Sequence, residues 1–236
     1  MKRTLFFLAA AALCTTTVAC SLCDRDCNRF ITVTVGDGKK LIKPSGNLVT
    51  EVRKVDPFHA VTAGSFVKVV VGAYPEGKVT IKADDNILPY VAISVEKGTL
   101  RIEYKTQEIS LENPNVVVHV PSSGVTALCA ESAAKITTEV TLIGETLRLE
   151  ADSTAGIEAS VSGGSCEISC DSAAKITADV DVASLTAAAD SASKITLRGK
   201  AGKCSLEADS IAKIDASKLE AGAWQTEASA LAKISR

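Results

Sequence analysis

The stretch ADSASKITL, from Ala189 to Leu197, is one of a series: CDSAAKITA begins at Cys170, ADSIAKIDA at Ala208 and ASALAKIS at Ala228. Aligned on the isoleucine that closes each copy, the series runs Ile136, Ile157, Ile176, Ile195, Ile214 and Ile234, at spacings of 21, 19, 19, 19 and 20 residues. A fixed period near twenty marks a solenoid, in which each repeat buries its apolar face against its neighbours. Helical repeats take roughly thirty or more residues per unit. The asparagine ladder and consensus leucines of a leucine-rich repeat are missing. A coil of β-strands remains.

Within each copy the small and apolar residues fall two apart, as a strand requires. Ten residues before the isoleucine stand Leu147, Cys166, Leu185, Cys204 and Trp224; eight before stand Leu149, Ile168, Ala187, Leu206 and Thr226. Six before stand Ala130, Ala151, Cys170, Ala189, Ala208 and Ala228. These are expected to be inward columns, one residue per coil, with rungs about 4.8 Å apart. Glu150, Ser169, Glu207 and Glu227 fall between them and face water. The fold class expected is therefore all-β: a single-chain parallel β-helix (β-solenoid), with coils of about 19–21 residues in the C-terminal half. Right-handed coiling is the common case for parallel crossovers.

The columns also decide most of the cysteine pairing. Cys166 and Cys204 share a column but lie two coils apart, roughly 10 Å, beyond the reach of a disulfide. Cys166 and Cys170 are four apart on one extended strand, roughly 13 Å. All three are expected as free thiols packed like small apolar groups.

At the corner, Asp follows the inward Ala, then Ser, a small pair, and Lys before Ile. Asp and Ser bond their own backbone in turns and so satisfy amides that a bend takes off the ladder. Stacking places Asp152, Asp171, Asp190 and Asp209 in one column, flanked by Glu131. Lys135, Lys175, Lys194, Lys213 and Lys233 form another, interrupted at Gly156. Water screens both columns, so each neighbouring pair is worth less than ~1 kcal/mol. The array has a plain reading as a solvated corner and a sharper one as a recognition surface for a repetitive glycan. The sequence favours the plain one, because glycan grooves offer aromatic platforms and Trp224, the single tryptophan, falls in an inward column.

The chain opens with Lys2 and Arg3, an apolar run from Leu5 to Leu13, and the small residues Thr17-Val18-Ala19 before Cys20. The run is too short to cross roughly 30 Å of hydrocarbon and fits a secretory signal. Small residues before a cysteine resemble the bacterial lipoprotein signal, with Cys20 as the acylated N-terminus. Thr17 stands where such signals usually carry Leu, so a plain cleavage nearby and the use of Cys14 both stay open. Removal of residues 1–19 takes away two basic residues and leaves 24 against 28 acidic ones. The mature chain is thus mildly acidic, which argues against nucleic acid as a partner. The cysteine spacing matches no zinc pattern with the two histidines, His59 and His119. Each histidine is isolated in a strand-like run and is expected as a surface or satisfied imidazole.

The expected organisation is a signal peptide at 1–19, a lipid-anchored tether at 20–29, a β-rich N-terminal part of the solenoid at 30–125 and repeat coils at 126–236. Cys23 and Cys27 lie in the tether, and nothing in the sequence shows whether they pair. From Phe30 the chain alternates strand and turn: ITVTV, LVTEVRKV, SFVKVVV, KVTIKA, YVAISV, TLRIEY and NVVVHV, with turn signals at Tyr74-Pro75-Glu76-Gly77, Lys97-Gly98 and Asn113-Pro114. No stretch has helical periodicity.

SGNLVTEVRKVDPFHAV from Ser45, TAGSFVKVVVG from Thr62 and KVTIKADDNILPYVAISVEKGTLRIEYK from Lys78, followed by the small-residue repeats, resemble the exported bacterial family of auto-transporter adhesins with a head GIN domain. The D-x-N-I-L-P-Y element and the later G-T-L-x-I strand are the most specific part. The resemblance covers roughly Ser45 to the C-terminus. It implies a parallel β-helix lipoprotein at the outer membrane or cell surface of Bacteroidetes-type bacteria, and it brings no catalytic residues with it.

Two functions from different classes follow. The first is a non-enzymatic envelope lipoprotein that binds or adheres to an extracellular ligand, glycan or protein, and holds to the membrane through Cys20. The second is a polysaccharide lyase or hydrolase, since parallel β-helices often carry such chemistry; the Asp152, Asp171, Asp190 and Asp209 column would hold calcium and a lysine would act as base. An even ladder favours the first, because catalysis needs an irregular cluster at one place. No cofactor is expected. Threonine-array ice binding is discounted, because Thr137, Thr177 and Thr196 are interrupted by Glu158 and Asp215. The chain stops two residues after Ile234, so the last coil is expected to offer ladder amides and carbonyls to a second copy.

Overall fold

A computed structural model of the chain describes residues 40–105 and 109–236. The signal segment, the attachment expected at Cys20, and Cys23 and Cys27 lie outside the described residues. Within them the protein is all-β, with a solenoid of about six turns in the C-terminal half.

The regular part shows why the repeat takes its length. Strands β1 (Lys40–Ile42), β2 (Leu48–Lys54), β3 (Ala60–Ala63), β4 (Lys68–Gly72), β5 (Lys78–Asp84), β6 (Val91–Glu96), β7 (Thr99–Tyr104), β8 (Ile109–Leu111) and β9 (Val117–Pro121) make up the N-terminal half. The repeats supply β10 (Ala127–Ala130), β11 (Lys135–Thr138), β12 (Leu142–Ala151), β13 (Gly156–Cys170), β14 (Lys175–Ala189), β15 (Lys194–Ala208), β16 (Lys213–Ala228) and β17 (Lys233–Ser235). A 15-residue strand and the four-residue turn Asp190–Ser193 account for one coil.

In β14 the residues Ile176, Ala178, Val180 and Val182 are buried alternately, and so are Leu185, Ala187 and Ala189. Between the two sets Ala183 and Ser184 both avoid the core. That break in the two-residue period bends the strand, so one strand lines both walls of the coil. In the next coil the bend falls at Gly202, where a Cβ would come within 2.6 Å of the Ala183 carbonyl oxygen of the coil below. Gly199, the partner of Val180, has φ at +100°, and a Cβ there would run into the Val180 carbonyl oxygen.

Strand register places each expected inward column in line. Leu147, Cys166, Leu185, Cys204 and Trp224 are successive partners, as are Leu149, Ile168, Ala187, Leu206 and Thr226. Ala130, Ala151, Cys170, Ala189, Ala208 and Ala228 form the third column. Thr226 and Ala228, expected to face inward, are exposed, because β17 covers only the start of β16. Cys166, Cys170 and Cys204 are buried free thiols, as the register requires. Cys129 is also buried, with its Sγ 3.8 Å from Glu131 Oε1, but its place in the strand lies outside the core column.

The N-terminal end departs from simple stacking. β3 pairs with β7 on one side and β10 on the other, while β4 pairs with β9 and β11. The coil made by β3 and β4 therefore lies between the coil of β7 and β9 and that of β10 and β11, although it comes first in sequence. Antiparallel β6 covers β7, and antiparallel β5 and β2 cover β9. These strands end the stack on that side. The one helical element among the described residues is the 3-10 turn Leu88–Tyr90.

At the other end β17 pairs with β16 only over Lys213–Asp215. The rest of β16, from Ala216 to Ala228, has no further partner strand among the described residues.

Candidate functional site

The repeated corner is built from a backbone turn with a side-chain ladder laid over it. In each turn the amide of the fourth residue donates to the carbonyl of the first: Ala174 to Asp171, Ser193 to Asp190 and Ala212 to Asp209, at 3.0–3.2 Å. The serine in second place is left-handed, with φ of 61° at Ser172, 60° at Ser191 and 60° at Ser210. Glycine is the usual residue for such a position. Serine is retained here because its side chain works between coils.

Each serine hydroxyl donates to the aspartate of the preceding coil. Ser172 Oγ reaches Asp152 Oδ1 at 2.7 Å, Ser191 reaches Asp171 at 2.8 Å, Ser210 reaches Asp190 at 2.8 Å and Ser229 reaches Asp209 at 2.6 Å. The same Oδ1 accepts the next residue's amide within its own turn, as Ser172 N to Asp171, Ser191 N to Asp190 and Ser210 N to Asp209. Asp152, Asp171, Asp190 and Asp209 thus form a continuous Asp–Ser ladder along the corner. The Ser229 hydroxyl and then the Ser210 amide hold the Asp209 carboxyl below the usual carboxylate range, since both bonds favour the charged form.

The sequence singles out the aspartates, and local turn chemistry explains only half of their bonding. Ser172, Ser191, Ser210 and Ser229 are the missing partners. The signal was present for Ser172, Ser191 and Ser210, each of which directly follows an Asp; Ser229 stands in the Asp place of its own turn, after Ala228.

The lysines stand on the other arm of the turn, outside the first strand of each coil. Lys135, Lys175, Lys194, Lys213 and Lys233 are in register, with Gly156 between the first two, and Lys68 of β4 extends the column beyond Lys135. All six are exposed. Lys135 Nζ meets Glu158 at 2.8 Å. Among the described residues no carboxylate lies within 4.0 Å of the ammonium groups of Lys175, Lys194, Lys213 or Lys233. Lys68 escapes the repeat pattern because its corner, Gly64-Ser65-Phe66-Val67, lacks both Asp and Ala. Its corner has two left-handed residues, Ser65 and Phe66, as do the corners at Ser132-Ala133 and Ser153-Thr154.

The histidines differ from expectation in one respect. His119 lies edge-on to Tyr74, ring centroids 5.1 Å apart, and its Nδ1 is buried without a hydrogen-bond partner rather than satisfied. Tyr74 donates to Glu139 Oε2 at 2.7 Å. Burial, reinforced by that carboxylate, pushes the phenol up to about 12.

The D-x-N-I-L-P-Y element acts as a clamp. Asp84 accepts the Gly46 amide at 2.6 Å, Asp85 accepts Ser45 Oγ at 2.6 Å and Asn47 Nδ2 at 2.8 Å, and Asn86 Nδ2 donates to the Lys43 carbonyl at 2.8 Å. The turn after β5 is thereby fixed to the segment that leads into β2. Among the described residues no group of three or more His, Cys, Asp or Glu is arranged to hold a metal ion.

Residues 57–235 match the profile of the family described as putative auto-transporter adhesin, head GIN domain. The chain belongs to this family. No curated protein matches it. Among solved structures, a putative adhesin from Parabacteroides merdae shares 18% identity over 80% of each chain, with a TM-score of 0.73. A putative lipid binding protein from Parabacteroides distasonis shares 17% identity over 83% of this chain and 84% of its own, with a TM-score of 0.75. A putative adhesin from Bacteroides fragilis shares 13% identity over 82% of this chain and 98% of its own, with a TM-score of 0.67. At these identities the likeness is one of fold, and the head GIN domain here is the solenoid with its antiparallel cap.

Proposed function

We propose that this head GIN domain protein is an exported, lipid-anchored protein of the outer membrane or cell surface that acts by binding, as in adhesion, and catalyses no reaction. The observation that carries this reading is the Asp–Ser ladder. Asp171, Asp190 and Asp209 are each engaged by two donors in the same arrangement, and Asp152 is engaged by the Ser172 hydroxyl. A catalytic site needs one group whose surroundings differ from the rest. Here the surroundings repeat, and the molecule offers long, regular faces instead. The family description and the adhesin names of structural relatives support the same reading.

The anchor is Cys20, with the polar stretch to Arg29 as a tether. Metabolic labelling with a radioactive fatty acid tests it: the label enters the wild type and is absent from Cys20→Ala. Binding is tested by screening the mature protein against glycans and matrix proteins. Turnover of an acidic polysaccharide that is lost in Asp171→Ala would replace this reading with the enzymatic one.

A further inference from the structure

We propose that the lysine column is a binding track for a linear acidic polysaccharide laid along the solenoid axis. The proposal rests on the binding role above and names its ligand class.

Four successive coils present Lys175, Lys194, Lys213 and Lys233 in strict register. Their ammonium groups repeat at the coil rise of about 4.8 Å. All four are exposed, and no carboxylate neutralises them at ion-pair distance, although the chain as a whole carries a net charge of -2. On the lysine face itself the carboxylates are Glu158, which pairs with Lys135, and Asp215, which is electrostatically coupled to Lys194; the aspartate column lies on the other arm of each turn. Its Oδ1 atoms are bound to the serine hydroxyls and amides of that arm. A ligand that approaches from the strand face meets the cations first.

The next outward position on that face carries hydroxyls in the two middle coils, between Glu158 on one side and Asp215 on the other. Thr177 and Thr196 are consecutive partners, two residues beyond Lys175 and Lys194. Neither hydroxyl is engaged by another described residue. Ammonium and hydroxyl thus stand side by side in two consecutive coils, a pairing suited to an acidic group and a sugar hydroxyl on the same ring. A pyranose linked head to tail advances by about one coil rise, so one acidic sugar meets one lysine. Lysine serves this better than a bidentate arginine would, because a point charge on a flexible stem tolerates small mismatches of period. No aromatic platform is needed where the attraction is ionic and repeated.

The column contains its own gain-of-function position. Gly156 occupies the place of a lysine between Lys135 and Lys175. Its φ is unexceptional, and a Cβ there would meet only the Lys175 carbonyl oxygen, at 3.9 Å. Gly156→Lys therefore fills the gap without disturbing the fold.

The experiment measures affinity of the mature protein for dextran sulfate, with neutral dextran as the uncharged control. Binding is expected to weaken steeply with salt, to fall tenfold or more in Lys175→Gln/Lys194→Gln/Lys213→Gln, and to rise severalfold in Gly156→Lys. Lys200→Gln/Lys203→Gln/Lys218→Gln removes the same charge elsewhere and is expected to leave binding within twofold. Equal loss in both triple variants would reduce the effect to net charge and overturn the track. So would the absence of dextran sulfate binding, or lysine-dependent binding to anionic phosphatidylglycerol vesicles in its place. If the protein binds a neutral glycan or a matrix protein and ignores dextran sulfate, the track fails and the binding role stands. If it binds nothing in the screen, both fail. Melting curves of all variants confirm that they are folded.

Discussion

Ser191 Oγ donates to Asp171 Oδ1 across one coil at 2.8 Å, while the Ser191 amide donates to Asp190 in its own turn. One serine thus stitches two coils and shapes its own turn. Removing the hydroxyl in Ser191→Ala leaves the turn bond and loses the rung, at a cost of about 1 kcal/mol. A double-mutant cycle between Ser191→Ala and Asp171→Ala isolates the rung. The expected coupling is about 0.5–1.5 kcal/mol by urea denaturation, and independent effects would show that the ladder does not join the coils.

The ladder also sets a dependence on acid. Asp209 is held low by Ser229 and Ser210, Asp85 by Ser45 and Asn47, and Asp215 by Ser217. A carboxyl whose folded value lies below its unfolded value adds stability above the unfolded value, and that stability is lost as pH falls through the folded one. The midpoint of thermal unfolding should be flat from neutral pH to about 5 and fall below about 4. Asp209→Asn keeps the acceptor oxygen and removes one titrating group, so its midpoint should fall less steeply in that window.

The core thiols are chemically quiet. Burial raises Cys166 to about 12 and Cys170 and Cys204 to about 11. At pH 8 the native protein should resist thiol reagents at these three positions. In denaturant all three should react without prior reduction, as mass spectrometry of labelled peptides would show. A disulfide among them would contradict the register.

Position 199 separates backbone demands from side-chain packing. Gly199→Ala puts a Cβ against the Val180 carbonyl oxygen at a positive φ, and should cost at least ~1–3 kcal/mol. Leu185→Ala removes a fully buried side chain between Cys166 and Cys204, and should cost about 2–5 kcal/mol. Chemical denaturation of both variants checks the pair. A Gly199→Ala protein as stable as wild type would show that the close approach to Val180 does not require glycine.

Period and alternation in the sequence were enough to place the three inward columns, because stacking makes residues 19 apart into neighbours and every coil repeats the same test. They also placed the aspartates and lysines in their columns. The inter-coil role of Ser172, Ser191, Ser210 and Ser229 was not legible from local turn chemistry, since it depends on how far each coil is displaced against the next. Lys68 and Phe66 were missed for a different reason: their corner turns the chain with two left-handed residues and without the Asp and Ala of the repeat. In the N-terminal half the strands could be seen but not their neighbours. Nothing periodic relates Ala60 to both Thr99 and Ala127, which are its partners on either side.

That last arrangement bears on how the molecule assembles. The coil of β3 and β4 cannot be sealed on one flank until the chain has run on to β7 and β9, nor on the other until it reaches β10. Growth is thus not a zipper that starts at the first residue. Residues 60–72 wait as an unfinished middle layer, and the contact from Ala60 to Ala127 closes a long loop before regular winding begins. From β12 onward each coil needs only the one before it. The slow step in refolding belongs to the N-terminal knot of returning strands, and the nineteen-residue coils follow it as fast local additions.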